Sequence, residues 1–278
     1  MTKEERFLIR FHRDHPGSTP SIFDLCRTAN GETSYQILAK PVPRATRVLD
    51  LGCGNGHLLD HCRQAGHSAS DLFGVDLSTF SLGNAAARPT LANVGLAQAR
   101  AQDLPLRTGV IDHVLCHLVL MLINPLTPAL SEVARVLKPG GMLHAMMGGG
   151  PAVTDAPHAV DIFLEALAAV MPSPTRASPV MVDQRLRRAS GLAGYLEETQ
   201  LFAEVHTHDV YVTHDGTANE IWPLLRNQYE CAEVSGEALT ALKAEFIRRC
   251  ERRYGSTAGI QAVWALRCVR ARRVNPGG

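Results

Sequence analysis

The stretch Arg47–His57, with the sequence R-V-L-D-L-G-C-G-N-G-H, constrains this chain more than any other. A short apolar run ends at three alternating glycines, Gly52, Gly54 and Gly56, and apolar residues at helical spacing follow. The pattern predicts a strand, a tight turn and the start of a helix. Glycine accepts positive φ and lacks a Cβ, so a ligand can lie directly against such a turn. The amides that open the helix attract an anionic or acceptor-rich group.

Strands and helices alternate from residue 45 to about residue 147, which predicts a doubly wound, mostly parallel seven-stranded α/β sheet. Strands are predicted at 71–76, near 96–101, and at 110–116, 142–147, 204–213 and 259–270, with a helix at 129–137 and a turn at 138–141. Ligands are expected at the carboxyl ends of the parallel strands.

We expect an N-terminal helical lid over residues 1–44 and an α/β domain over 45–278. A helical cap is predicted as an insertion at about 217–256. Between them, the pattern predicts an amphipathic helix at 156–171, a proline-rich linker at 172–179 and a basic helix at 184–199.

The composition argues against several partners. A net charge of +1 gives no long-range attraction to nucleic acid or to an anionic membrane, and no apolar stretch is long enough to span a bilayer. The seven cysteines contain no C-x-x-C pair and indicate free thiols in a reducing compartment. We therefore expect a soluble cytoplasmic protein, and the sequence indicates no oligomeric state.

Three motifs stand in order in the first half of the chain. The glycines follow Asp50, Asp76 comes twenty residues after Gly56 at the end of the second predicted strand, and residues 135–141 read R-V-L-K-P-G-G. The spacing G-x-G-x-G differs from the G-x-G-x-x-G of dinucleotide-binding folds. Together, the motifs resemble those of the class I S-adenosylmethionine-dependent methyltransferases over roughly residues 45–147.

The resemblance implies S-adenosylmethionine as cofactor and assigns its contacts. The residues expected at the cofactor are Gly52, Gly54 and Gly56 at the methionine moiety, with Asp50 supporting the loop, Asp76 with Leu77 at the ribose, Ala101 and Gln102 at the adenine, and His117 near the sulfonium. Arg100 departs from the family pattern because it occupies the position of an acid that accepts from the adenine amino group, and arginine has no acceptor. Gln102 supplies the acceptor, or Asp103 turns inward, or backbone and water serve instead.

His117 and Tyr35 are the predicted catalytic residues. His117 ends the fourth strand beside the expected sulfonium, where it acts as a base or substrate contact, or else is a packed histidine bonded to backbone. A tyrosine before the first strand lies near the cofactor in many relatives, which favours Tyr35 among the aromatic residues able to face a sulfonium. The other candidates are Tyr195, Tyr211, Trp222 and Tyr229.

Two further patterns invite functional interpretations that we do not favour. Alternation along a strand puts Glu204, His206 and His208 on one face, with His214 beyond, but such a row is typical of a solvated sheet face and we predict no metal site. The basic runs at 185–188 and 248–253 are expected to be solvated helix faces, although one arginine could hold a substrate carboxylate.

The favoured function is methyl transfer from S-adenosylmethionine to a small molecule, in which alignment and desolvation provide most of the rate and no strong base is required. One alternative is a cyclase or lyase that consumes S-adenosylmethionine alone, forming azetidine-2-carboxylate and methylthioadenosine by intramolecular attack. Another is a non-catalytic protein that binds the same cofactor. The motifs do not distinguish the three, because all use one glycine loop and one ribose acid.

Overall fold

The computed structural model describes residues 1–149, 152–171, 186, 191–256 and 258–275. The helices are α1 (Lys3–Asp14), α2 (Ser18–Phe23), α3 (Ser34–Ala39), α4 (His57–Gln64), α5 (Thr79–Ala86), α6 (Leu126–Val136), α7 (Ala159–Val170), α8 (Gly191–Glu198), α9 (Ala218–Arg226) and α10 (Gly236–Tyr254). The strands are β1 (Val48–Leu51), β2 (Leu72–Asp76), β3 (Gly95–Gln98), β4 (Ile111–His117), β5 (Leu137–Gly148), β6 (Phe202–Gly216) and β7 (Ile260–Arg273).

The strands form one seven-stranded sheet in the order β3-β2-β1-β4-β5-β7-β6. The pairs among β1 to β5 are parallel, whereas β7 runs antiparallel to both β5 and β6. The predicted doubly wound, mostly parallel sheet is therefore confirmed. Its strand order reverses beside β1, because β2 lies on one side of β1 and β4 on the other, and ligands bind at such a switch point.

Apolar side chains cover both faces of the sheet. All four residues of β1 are buried, as expected for a central strand of a parallel sheet. Leu130 and Val133 of α6 pack on one face, whereas Leu58 and Leu59 of α4 pack on the other. These layers fix the carboxyl ends of β1, β2 and β4 at one edge.

A third cluster joins α7 to the segment 217–256. Phe163, Trp222 and Phe246 pack together in it, with ring centroids 6.0 to 6.5 Å apart. The described part of the segment is helical in α9 and α10, as predicted, with a short 3-10 turn at Tyr229–Cys231. The division into lid, domain and cap stays a prediction.

Several predicted boundaries were wrong. Strand β3 ends at Gln98, so residues 99–101 lie in the loop beyond it. Residues 138–141, predicted as a turn, lie inside β5, where the register with β4 shifts and Gly140 takes a φ of 74°. Of the predicted basic helix, residues 191–198 are helical, while the linker at 172–179 and Arg185, Arg187 and Arg188 lie outside the described residues. Within the described ranges, each helix is too short or too polar to cross a bilayer.

Candidate active site at the carboxyl edge of the sheet

The three loop glycines all have positive φ, of 74°, 52° and 81° in chain order, but their surroundings differ. A Cβ on Gly52 would lie 2.5 Å from Val119, and one on Gly56 would lie 2.4 Å from Leu91. A Cβ on Gly54 would meet nothing within 4 Å. Gly52 and Gly56 therefore allow the loop to pack against the protein, whereas Gly54 leaves open space beside the cavity that it lines.

The Asp76 carboxylate connects the end of β2 to the glycine loop. Its Oδ2 accepts from the Gly54 amide at 2.8 Å, and its Oδ1 accepts from the Ser78 amide at 2.8 Å. Burial raises the pKa of Asp76, and the hydrogen bonds from the Ser78 and Gly54 amides oppose that rise by stabilising the anion. Asp76, Leu77 and Ser78 all line the same cavity as Gly54.

Asp50 lines this cavity and has one carboxylate oxygen without a hydrogen-bond partner among the described residues. The residue is 2% exposed, and within the described residues its Oδ2 has no hydrogen-bond partner. Burial first, and the nearby Asp76 carboxylate second, raise the pKa of Asp50 to about 8. A cationic group placed in the cavity would stabilise the ionised form of Asp50 through charge attraction.

Tyr35 and His117 stack on each other, with ring centroids 4.2 Å apart and planes at 24°. Nε2 of His117 lies 2.8 Å from Oγ of Ser34, at the start of α3, where the backbone is positioned by a capping box between Thr33 and Gln36. Burial lowers the pKa of His117 to about 3, so the imidazole is neutral at physiological pH. The predicted pair thus shares the cavity wall, and its histidine is a weak base.

A polar cluster behind the loop was not predicted. Nε2 of His57, the first residue of α4, lies 2.8 Å from Oδ2 of Asp24, and His61 Nε2 lies 3.6 Å from Oδ1. Burial alone would raise the pKa of Asp24, but the contacts with His57 and His61 lower it well below its usual value. Arg88 donates to the Asn55 carbonyl oxygen at 2.7 Å and so supports the loop. The i, i+4 spacing of the histidines was the available sequence signal.

The loop after β3 lies under α1. Ala101 and Gln102 line the cavity, as does Arg100. Nη2 of Arg100 lies 2.7 Å from Oε1 of Glu5 on α1, so this side chain ties the loop to the helix. Asp103 is exposed and is not among the residues that line the cavity, so the structure does not favour the alternative in which it turns inward.

A second cavity, of about 430 Å³, adjoins the first, which is about 200 Å³. Ser18, Thr19, Leu118 and Tyr229 line both. Leu118, directly after β4, has a φ of 59°, a strained conformation for a bulky residue, and its amide donates to the Met146 carbonyl oxygen at 2.8 Å. Strained residues concentrate at functional sites, and this one stands where the two cavities meet.

Of the other aromatic candidates, Tyr229 reaches the cavities and three do not. Trp222 and Tyr195 are buried in apolar clusters, and Tyr211 is 42% exposed on β6. Tyr229 packs on Phe11 of α1, with centroids 4.6 Å apart, and its hydroxyl lies 2.8 Å from His12 Nε2. Sequence reasoning could not rank Tyr229 because its position depends on contacts with the leader.

The remaining motifs lie away from the cavities. His206 and His208 are exposed on β6, and Glu204 pairs with Arg272 at 2.8 Å. In the part of the chain that the structure describes, no three His, Cys, Asp or Glu side chains converge as a metal ion would require. Arg248 and Arg249 pair with Glu245, on their own helix.

Comparison with known proteins places the glycine loop and five strands in a known domain. Residues 49–145 match a family model described as a methyltransferase domain. A malonyl-[acyl-carrier protein] O-methyltransferase of Pectobacterium atrosepticum is 34% identical over 103 residues, which are 37% of this chain and 39% of the relative. The mitochondrial arginine-hydroxylase NDUFAF5 of Danio rerio is also 34% identical over 103 residues, 31% of its length. The matched region thus spans well under half of these relatives.

Solved structures with a similar fold are known. A phosphoethanolamine N-methyltransferase 2 of Haemonchus contortus, solved with S-adenosylmethionine, superposes with a TM-score of 0.59 at 18% identity, covering 99% of this chain and 61% of that one. This likeness shows the fold alone, and the matched domain carries the motifs. The family model and these relatives support the class I S-adenosylmethionine-dependent methyltransferase superfamily for residues 49–145, the region that carries the glycine loop and the motifs.

Proposed function

We propose that this chain binds S-adenosylmethionine in the first cavity and transfers its methyl group to a small molecule in the second. The observation that carries the proposal is the junction of the two cavities at Leu118 and Tyr229. Transfer between two molecules requires such an arrangement, whereas intramolecular cyclisation needs no space for an acceptor. The match of residues 49–145 to a methyltransferase domain supports the choice of cofactor.

The residues around the first cavity suit this cofactor in three ways. The open side of Gly54 permits close approach of a ligand to the backbone. Asp76 has accepting capacity for ribose hydroxyls beyond its bonds to the Gly54 and Ser78 amides. The buried carboxyl group of Asp50, which lines the cavity, would favour a cation such as the cofactor's ammonium group. Gly52 and Gly56 would contribute by shaping the loop.

The chemistry to be catalysed is a displacement at carbon: an acceptor nucleophile bonds to the methyl carbon, the carbon–sulfur bond breaks with its electron pair left on sulfur, and the acceptor loses a proton. The chain's part is to align the two ligands and to exclude water. His117 is neutral, is hydrogen-bonded to Ser34 and stacks on Tyr35. It would therefore form part of the cavity wall beside the reacting groups and would not serve as a base.

The first experiment measures binding and products separately. Binding of S-adenosylmethionine is measured by calorimetry. The protein is then incubated with S-adenosylmethionine alone, and again with the protein-free small-molecule fraction of a cell extract, and nucleoside products are identified by mass spectrometry. Methyl transfer would be supported if S-adenosylhomocysteine forms when the extract fraction is present and does not form when the protein is incubated with S-adenosylmethionine alone.

Other outcomes select other functions. Methylthioadenosine formed without an acceptor, above the spontaneous rate, would overturn the proposal in favour of cyclisation. Tight binding without either product across extracts would indicate a binding protein. Asp76→Asn should weaken cofactor binding by about tenfold or more, since hydrogen bonds to charged groups contribute about 1.5–3 kcal/mol. Asp112→Asn, a carboxylate outside both cavities, is the control.

A further inference from the structure

We infer that the second cavity takes an apolar amine in its protonated form, whose ammonium group lies beside aromatic rings and pairs with the Glu230 carboxylate. The inference rests on the proposed function only in naming this amine as the methyl acceptor. The cavity wall, its rings and its charges are features of the described structure, and binding measurements alone can test them.

The wall of the second cavity is mainly apolar. It is formed where α1, α2, the segment after β4, the end of β5, the start of α7, the turn after α9 and β7 come together. Its aliphatic side chains include Ile22, Leu118, Met121, Leu164 and Leu266. A volume of about 430 Å³ admits a ligand of one or two rings, and burial of the apolar part of such a ligand would provide most of its binding free energy.

Four aromatic residues line this wall as two contacting pairs. Tyr229 packs on Phe11, with ring centroids 4.6 Å apart, and Trp264 packs on Phe23, with centroids 6.2 Å apart and planes at 64°. Phe11 and Phe23 are buried, whereas Tyr229 and Trp264 are only partly buried and keep accessible surface. The face of an aromatic ring attracts a cation, and tryptophan does so most strongly. The rings therefore favour a positively charged group on an apolar ligand.

The charges on the wall have the sign that suits a cation. Asp161 and Glu230 contribute carboxylates, and the described lining residues include no lysine or arginine. Burial lowers the pKa of His158 below its usual value, so this ring adds no positive charge at neutral pH. A phosphate or carboxylate ligand would meet like charge without a compensating cation, whereas an ammonium group would meet opposite charge.

Of the two carboxylates, Glu230 is the one left free for a ligand. Asp161 already accepts from the His158 amide at 3.2 Å, whereas Glu230 forms no hydrogen bond or ion pair within the described part of the chain. Glu230 is partly exposed, and neither of its oxygens is one of the fully buried unpaired atoms, so both are accessible. Burial raises the pKa of the Tyr229 hydroxyl, and the Asp76 and Glu230 carboxylates raise it further. The free charge therefore lies near the ring that lines both cavities.

An amine bound in this way can act as the nucleophile after it loses one proton. The N–H proton passes to the Glu230 carboxylate and from there to water, which leaves a lone pair on the nitrogen. That pair bonds to the methyl carbon while the carbon–sulfur bond breaks and its electrons stay on sulfur. The product is again an ammonium ion, so substrate and product should both bind.

Three probes that share one ring system test the charge preference. Binding of 2-naphthylmethylamine, 2-naphthylmethanol and 2-naphthoate to the full chain is measured by calorimetry at neutral pH, with and without S-adenosylhomocysteine. Their side groups are similar in size, but the first is a cation, the second is neutral and the third is an anion. We expect the amine to bind about tenfold more tightly than the alcohol, and the carboxylate to bind most weakly. Binding of the alcohol or the carboxylate as tight as that of the amine would overturn the inference.

Matched variants assign the preference to named groups. Glu230→Gln should reduce the affinity for the amine several-fold and leave that for the alcohol unchanged. Glu233→Gln, which removes the same charge at an exposed position outside both cavities, should change neither. Trp264→Leu should also lower the amine-to-alcohol ratio of affinities. A ratio unchanged in Glu230→Gln would overturn the role of Glu230, and equal losses for both probes in Trp264→Leu would reduce that ring to apolar packing.

A second pair of variants locates the bound probes. Val160 lines the second cavity and Ala168 lies on the exposed side of the same helix. Val160→Phe should therefore block all three probes, whereas Ala168→Phe should not. Unchanged probe binding in Val160→Phe would place the probes elsewhere and overturn the inference.

The charge of the acceptor can be tested before the acceptor is identified, and this test separates the inference from the proposed function. The small-molecule fraction of a cell extract is passed over cation- and anion-exchange resins at neutral pH, and each part is assayed for formation of S-adenosylhomocysteine. We expect the cation exchanger to retain the acceptor. Retention by the anion exchanger, or passage through both resins, would overturn the inference and preserve the methyltransferase proposal. Selective binding of the amine probe without product from any part would preserve the cavity preference and remove the methyltransferase proposal.

Discussion

Arg100 Nη2 lies 2.7 Å from Glu5 Oε1, so the loop expected to contact adenine is fastened to the helix above it. Arginine at this position is therefore explained by a contact with α1. Glu4, Glu5 and Leu8 of α1 line the first cavity, so we expect release of a nucleoside bound there to require α1 to move. Because the arginine side chain is 42% exposed, the pair contributes little to global stability, within about 1 kcal/mol.

We expect Arg100→Ala to speed release of S-adenosylhomocysteine several-fold while leaving the melting temperature nearly unchanged. Stopped-flow displacement measures the release rate, and raising the salt concentration should speed release from the wild type but not from the variant. Arg13→Ala is the control, because its partner Asp14 lies on the same helix end and both are exposed. An unchanged release rate for Arg100→Ala would contradict the expectation that the Arg100–Glu5 ion pair slows release of the nucleoside.

Alanine substitutions at three glycines should distinguish glycines needed for packing of the protein from those that leave space for the ligand. Gly56→Ala should lower the melting temperature strongly, since its Cβ would lie 2.4 Å from Leu91 and 3.2 Å from Ala85. Gly54→Ala should cost only the backbone strain, about 1 kcal/mol, yet abolish most cofactor binding. Gly109→Ala carries similar strain at a φ of 66° outside the cavity, and should leave binding intact. Equal binding losses at Gly54 and Gly109 would show that strain, not space, is responsible.

Asp50 should make the unliganded protein less stable as pH rises. Its folded-state pKa of about 8 exceeds the unfolded value near 3.9, so the folded state binds more protons between these limits. The stabilisation is complete below about pH 4 and is lost as pH rises through 8. Asp50→Asn should therefore raise the melting temperature relative to the wild type at pH 8 and not at pH 4.5, as measured by calorimetry.

Asp112→Asn is the matched control, because folding lowers the pKa of Asp112 whereas it raises the pKa of Asp50. Hydrogen bonds from Lys138 and the Arg47 amide lower the pKa of Asp112 despite its partial burial. That contribution to stability is present above the unfolded pKa and disappears as the pH falls. The control should lose stability at pH 8 and little at low pH. A gain for Asp50→Asn that is independent of pH would contradict ionisation as the cause.

We expect titration of His117 to make no contribution to the pH dependence of catalysis between pH 5 and 9. With a pKa of about 3 it stays neutral throughout the usual assay range. We expect His117→Gln and Ser34→Ala to reduce kcat/KM by less than about tenfold without changing the shape of the pH profile, whereas loss of a general base costs about 10²–10⁴-fold. The prediction would be contradicted if the pH profile of kcat/KM lost a titration near neutral pH in His117→Gln but kept it in Ser34→Ala, since that result would identify His117 as the base.

Local motifs allowed the sheet and the loop to be predicted. The glycines, Asp76 and the R-V-L-K-P-G-G run act through backbone turns that a short stretch of sequence specifies. The cofactor role of Gly56 stays a prediction. The sequence did not show that Leu91 packs where a Cβ on Gly56 would lie, so the need for glycine in packing was not predicted.

Contacts between distant segments were out of reach of sequence reasoning. Arg100 meets Glu5 from ninety-five residues away, and Tyr229 meets His12 from two hundred and seventeen. The second cavity is lined by the leader, the segment after β4, β5, α7, the turn after α9 and β7, and none of these contains a motif for it. Such a site depends on tertiary packing of apolar faces that many sequences could provide.

The strand order has a consequence for synthesis of the chain on the ribosome. β6 is made before β7, yet β7 is the strand that lies between β5 and β6. Among the described residues, β6 pairs with β7 and, through one bridge between Thr213 and Arg27, with the leader, so its fifteen residues lack their main pairing partner in the nascent chain until residues 260–273 emerge. Translation pauses or chaperone binding in that interval would protect an open edge that the finished protein no longer exposes on that side.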